Sequence, residues 1–209
     1  MSKVLEQVER EELSAFISSF TPRRFSVEEY HRIGKAGIFG EDERIELISG
    51  RIRRMSPISS RHSACVSILN RKLRAVEEKA IVRIQDPIIL NDETEPQPDI
   101  AIVKFKANDY ADSHPHAGDV LLIIEVADTS LEERDIKLPR YADLMIPEVW
   151  IFNLIDNIVE IYTEPLILAN GIPGYLMRKD FKPGEAITPK AFPDLEIVVP
   201  NLAKENPSN

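Results

Sequence analysis

The run DVLLIIEVADTS, residues 119–130, constrains the fold more than any other stretch of the chain. From Val120 it is almost continuously apolar and rich in Ile, Leu and Val, the pattern of a central strand covered on both faces rather than one with a wet side. Glu125 interrupts it. An ionised carboxylate at such a position is costly unless something positive meets it. Either an internal Arg or Lys pairs with it, or the site binds a cation. A second acid stands in a comparable place: in PQPDIAIVKF, Asp99 follows two prolines and opens another apolar strand. Taken alone, Asp99 also fits a plain turn or strand-capping acid.

The other segments supply layers for such a strand. Val4, Leu5, Val8, Leu13, Phe16, Ile17 and Phe20 are spaced for a helix with one apolar face. Thr21 and Pro22 end it. Ser26 with Glu29 has capping-box spacing and opens a helix that Gly34 or Gly37 closes. ERIELISGRIRRM reads as a hairpin turning at Ser49-Gly50. Val66, Leu69, Leu73 and Val76 mark a helix over roughly residues 60–79. IVRIQDPIIL and PDIAIVKF read as strands, and the polar segment Lys106 to Asp119 as an exposed loop. Ser130 and Glu133 again have capping-box spacing, before a helix that Pro139 should kink or divide. EVWIFNLIDNIVEIYTE is a hairpin turning at Asp156-Asn157, followed by a tail of short strands and turns. The expected class is mixed α/β: a mixed central sheet flanked by helices. Residues 1–22 form a helical extension, 23–200 a single domain and 201–209 a tail.

Charge bears on partners. The chain carries a net charge of −9, which argues against broad, nonspecific nucleic-acid binding. Residues 44–83 nevertheless hold ten Lys or Arg against three Asp or Glu. One face is therefore either a basic patch or a set of ordinary solvated arginines. No apolar run approaches the length of a membrane span, and the acidic N-terminus is unlike a signal peptide, so the expected location is the cytoplasm. Cys65, the lone cysteine, rules out an intrachain disulfide and reads as a small buried helix residue.

If the strands bearing Asp99 and Glu125 pair antiparallel, the start of one meets the end of the other, and the two carboxylates come within about 5 Å. Paired acids of that kind suit a hard cation such as Mg2+, which takes oxygen ligands and keeps several waters. Lys137 falls on the helix that leaves the central strand, sharing a face with Glu133. A surface ion pair is its alternative reading. His114 and His116, in HPH, are rejected as a ligand pair because nothing near them in the sequence supplies a third ligand.

PQPDIAIV, DVLLIIEVADTS, the stretch from Glu133 through Lys137 and Tyr141 to IPEVWIFNL, and the upstream RIELISG and SPISSRHS together resemble the Uma-two family of endonucleases, within the PD-(D/E)XK nuclease superfamily. The resemblance runs from about Phe25 to Tyr162. It implies a restriction endonuclease-like core and a hydrolase that cuts DNA phosphodiesters with Mg2+ or Mn2+. By resemblance, Asp99 and Glu125 are metal ligands with the carbonyl of Val126 as a third. Glu46 matches an acid that forms the far wall of the metal site or holds its water, and His62 either approaches phosphate or the leaving group or is a structural hydrogen-bonding residue. The superfamily places a lysine two residues after the second acid, where this chain has Ala127, so the amine falls to Lys137. Glu133 stands where Asp is expected, and Leu144-Met145 where a small pair is expected. A homodimer is expected because many nucleases must reach both strands. The alternative is a catalytically silent nuclease-fold module that binds or regulates.

Overall fold

The computed structural model describes residues 22–40, 42–169 and 171–203, apart from the side chains of Glu132 and Glu133. The helix expected over residues 3–20 lies outside them. Six strands form the central sheet: β3 (Ala80–Ile84), β4 (Ile100–Lys104), β5 (Val120–Ala127), β6 (Glu148–Asn153), β7 (Ile158–Ile167) and β8 (Pro173–Phe181), lying in that order. Only β5 and β6 run parallel; the other neighbours are antiparallel. A parallel pair needs a crossover. Helix α3 (Glu132–Asp143) provides it.

The apolar continuity of β5 follows from this placement. Leu122, Ile124 and Val126 pack in a core with Cys65, Val66, Leu69 and Leu73 of helix α2 (Ser60–Leu73). Ile123 and Ala127 face the opposite way, into a second core with Tyr141 of α3. By the two-residue period of a strand, Glu125 shares the α3 face with Ile123 and Ala127. Cys65 is fully buried in the first core, as its structural reading requires.

Helix α1 (Val27–Lys35) opens with the capping box of Ser26 and Glu29, and Gly37 follows it at φ +70°. The hairpin of β1 (Ile45–Ile48) and β2 (Arg51–Arg54) turns at Ser49 and Gly50, both with positive φ, the turn that matches the twist of paired strands. It forms its own two-stranded sheet, joined to the rest where Leu47 and Glu95 exchange main-chain hydrogen bonds of 3.2 and 2.7 Å. Two-residue β9 (Ala186–Ile187) and β10 (Ile197–Val198) pair near the C-terminus.

Several expectations are corrected. IVRIQDPIIL is not one strand: β3 ends at Ile84, and Gln85 takes φ +54°. Its N–H donates to the Asp99 carbonyl, and the chain then turns so that Ile88 and Leu90 enter the second core. The tail is not only short strands, since nine-residue β8 forms the sheet edge beside β7. The segment 106–119 is largely exposed, but Tyr110 is buried and donates to the Lys104 carbonyl. Ser130 does not cap α3; Leu131 occupies that position without a side-chain cap bond. Nor does Pro139 divide the helix, which runs on to Asp143. Its side chains bind it to the sheet instead. Arg134 reaches Glu160 on β7 at 3.4 Å, Tyr141 reaches Glu125 on β5, and Arg140 donates to Ser49 Oγ at 2.7 Å.

Candidate active site

The register of β4 and β5 pairs Ile100 with Ile124, so Asp99 stands one step outside the ladder, level with Glu125. Its carboxylate takes over from the main chain there: Oδ2 accepts from the Val126 N–H at 2.9 Å. The prolines at 96 and 98 supply no N–H of their own. Ser59 caps helix α2, its hydroxyl accepting from the His62 N–H. His62 Nε2 lies 3.0 Å from Asp99 Oδ2, and Gln85 Nε2 donates to Oδ1 at 3.2 Å. Burial pushes the Asp99 carboxyl up, but the contacts with His62, Val126 N–H and Gln85 outweigh it and hold the group below the usual carboxylate range. It is therefore ionised at neutral pH and can only accept, which makes His62 Nε2 the donor.

Around Glu125 lies a second constellation. Lys137 Nζ sits 3.3 Å from Glu125 Oε1 and 3.0 Å from Glu46 Oε2, and the lysine is only 1% exposed. The Tyr141 hydroxyl donates to Glu125 Oε1 at 2.6 Å. Glu46 also accepts from the Gln97 N–H at 3.3 Å and pairs with Arg53 at 3.7 Å. Three elements, β1, β5 and α3, thus bring two acids and an amine together in the interior. An amine there offsets the charge of both carboxylates, which could not be buried bare.

The five side chains singled out from sequence fall into these two groups, Asp99 with His62 and Glu46, Glu125 with Lys137. The main chain of Val126 connects them, since its N–H binds Asp99 and it directly follows Glu125 in β5. Asp99 and Glu125 stand level across the β4–β5 register, and each offers carboxylate oxygens, the donor type that hard cations take. Among the described residues no three His, Cys, Asp or Glu side chains are grouped so as to hold a metal ion. His114 lies elsewhere, its ring edge-on to His31 at 6.4 Å.

A cleft opens beside Asp99, lined by Arg44, Ser59, His62, Asp99, Asp128 and Ser130 among others. Asp128 is held by Arg61, whose Nε lies 2.8 Å from Oδ1, and by the Ser59 hydroxyl.

Sequence reasoning missed Tyr141, Arg53 and Gln85 as members of the site. Two were legible. Tyr141 follows Lys137 by four residues, one turn along the same helix face, and a hairpin turning at 49–50 places Arg53 opposite Glu46. Gln85 gave no signal, because its reach depends on a left-handed backbone that a glutamine does not announce.

Comparison with known proteins places the chain in a family and a fold. The family model described as "Putative restriction endonuclease", Uma2, matches residues 27–200. No curated protein matches the chain. Among solved structures, the chain resembles a crystal structure described as a putative nuclease belonging to DUF820 from Anabaena variabilis, with a TM-score of 0.64 and 16% identity, covering 85% of this chain and 97% of that one. At that identity the likeness speaks for a shared fold, a restriction endonuclease-like mixed sheet with helices on its faces. With the family match extending over most of the described residues, this chain belongs to the Uma2 family of restriction endonuclease-like proteins.

Proposed function

We propose that the chain is a metal-dependent endonuclease that hydrolyses DNA phosphodiester bonds. The observation that carries this reading is the bond from Val126 N–H to Asp99, which sets one buried acid against the strand bearing the other while Lys137 reaches Glu125 from α3. Asp99, Glu125 and the Val126 carbonyl would hold Mg2+ or Mn2+. The cation, when bound, supplies a Lewis acid that acidifies water and neutralises charge on the attacked phosphate.

The chain's own groups do the rest. Lys137 donates toward the attacking water and stabilises charge that develops on phosphate, a role suited to an ammonium already fixed in a dry site. Glu46 orients that ammonium at 3.0 Å. Tyr141 fixes the Glu125 carboxylate. His62, at the cleft, donates to Asp99 and stands where a phosphate or leaving group would approach. A homodimer acting in the cytoplasm would offer two clefts to the two strands of a duplex.

Calorimetric titration of Mg2+ and Mn2+ into wild type and Asp99→Ala, paired with plasmid nicking, tests the reading. Wild type should bind metal and nick, and the variant should do neither. A wild type that binds no metal and leaves DNA intact beside an active control nuclease sinks it. One observation favours a silent binding module instead: Asp99, Glu125 and Glu46 all have cationic or donor partners within the protein. DNA binding without cleavage, unchanged in Asp99→Ala, would support that second reading.

A further inference from the structure

Of the charged groups lining the cleft beside Asp99, the acids are matched and, among the described residues, one cation is not. Asp99 meets His62, and Asp128 is held by Arg61 and Ser59. Arg44 lines the same cleft half-buried, and among the described residues its guanidinium meets no carboxylate. Its neighbours on the hairpin differ: Arg53 pairs with Glu46 and Arg54 with Glu43. The Arg44 carbonyl accepts from Met55 N–H at 2.9 Å, which fixes the residue at the open end of the hairpin, two positions before Glu46. Residues two apart in extended chain share a face. Arg44 therefore lies on the face of β1 that carries Glu46 toward Lys137 and Glu125. The exposed hydroxyls of Ser56, Thr129 and Ser130 complete the rim.

A guanidinium at such a place calls for an anion from outside. Its planar fork matches phosphate oxygens, and a half-desolvated cation gains more from one than a fully solvated surface arginine does. We propose that Arg44 binds a backbone phosphate of the nucleic acid next to the one that is cleaved, so that the cleft engages a polynucleotide strand through at least two phosphates. This inference rests on the nuclease reading and adds to it the group that grips the strand. A mononucleotide ester would lack the second phosphate.

The test is fluorescence anisotropy of a labelled DNA duplex across a salt series in EDTA, with wild type, Arg44→Ala, Arg44→Lys and Lys179→Ala. Lys179 is exposed on β8 at the far edge of the sheet, and its replacement removes the same charge without touching the cleft. Arg44→Ala should weaken binding about fivefold and lower the slope of log affinity against log salt by about 1. Arg44→Lys should keep the slope, and Lys179→Ala should match wild type. Melting of Arg44→Ala at the wild-type temperature confirms that the loss is not unfolding. Unchanged affinity and slope in Arg44→Ala, with a wild type that binds and nicks, overturns the assignment of Arg44 and leaves the nuclease reading standing. Equal losses in Arg44→Ala and Lys179→Ala overturn it too, since net charge alone then explains the effect. A wild type that neither binds nor nicks DNA overturns both.

Discussion

Lys137 is the residue on which the interior of the site turns. Its ammonium lies between Glu46 and Glu125, both almost wholly buried, so removing it leaves two acids without their shared cation. Breaking a buried ion pair by deleting one partner costs about 3–5 kcal/mol. Lys137→Met, which keeps the aliphatic length, should lower stability by about that amount in urea denaturation; a loss below about 1 kcal/mol would show that the acids are not held by this amine. Asp99 responds to pH instead. Its folded carboxyl is held below the unfolded value of about 3.9, so the unfolded chain binds the proton first as pH falls. Stability from this group is fully present above the unfolded value and disappears as pH drops through the folded one. Urea midpoints measured from about pH 5 down to about pH 2 should fall less steeply in Asp99→Asn than in wild type. Equal acid limbs would refute the depressed pKa.

At the scale of elements, what could be read from the chain is what has a local cause. β5 announced itself because covering both faces requires an unbroken apolar run, and the Ser49-Gly50 hairpin because two positive φ angles call for small turn residues. The sequence left the pairing of Asp99's strand with Glu125's strand as a condition, and the structure shows them antiparallel. What was not legible has a tertiary cause. The end of β3 depends on Gln85 binding Asp99, fourteen residues later. Helix α3 lacks a side-chain cap and contains Pro139, so local rules argue for a break, yet Arg134, Lys137, Arg140 and Tyr141 fasten it to β7, β5 and the hairpin. The hairpin offers the cleanest test of a local cause. A Cβ on Gly50 would come 2.6 Å from Arg24 Cβ and 3.2 Å from its Cα, at φ +73°. Gly50→Ala should therefore cost more than about 1 kcal/mol. In contrast, Gly34 in α1 has open space around it, and Gly34→Ala should gain up to about 1 kcal/mol. Thermal melting reads both signs, and a neutral Gly50→Ala would show that the hairpin tolerates a different turn.

Over the whole molecule, charge and connectivity point to the same part of the chain. Among the described residues, four of the ten basic residues in 44–83 are already paired with acids, Arg53, Arg54, Arg61 and Arg83. What the acidic protein can offer a polyanion from this stretch is narrower than the sequence count implies, including Arg44 at the cleft and the exposed Arg71, Lys72 and Arg74 at the other end of α2. A helix of 14 residues separates those two places by roughly 20 Å. Among the described residues no helix is long and apolar enough to cross a membrane. The same region is where the β1–β2 hairpin, a sheet of its own, is tied to the six-stranded sheet through Glu46, Lys137 and Glu125. A cation held by Asp99 and Glu125 would add a further tie between β4 and β5, so its binding should register in the stability of the entire fold. Binding to the folded chain alone adds about 2.7 kcal/mol when the cation is at 100 times its dissociation constant. For a chain of this size that corresponds to a rise of about 5–10 °C in melting temperature. Wild type should show this rise with Mg2+ or Mn2+ and lose it in excess EDTA, whereas Asp99→Ala should melt at one temperature throughout. If wild type melts identically with and without saturating cation, the two carboxylates do not hold a metal, and the acids of this site serve only to anchor Lys137 and His62.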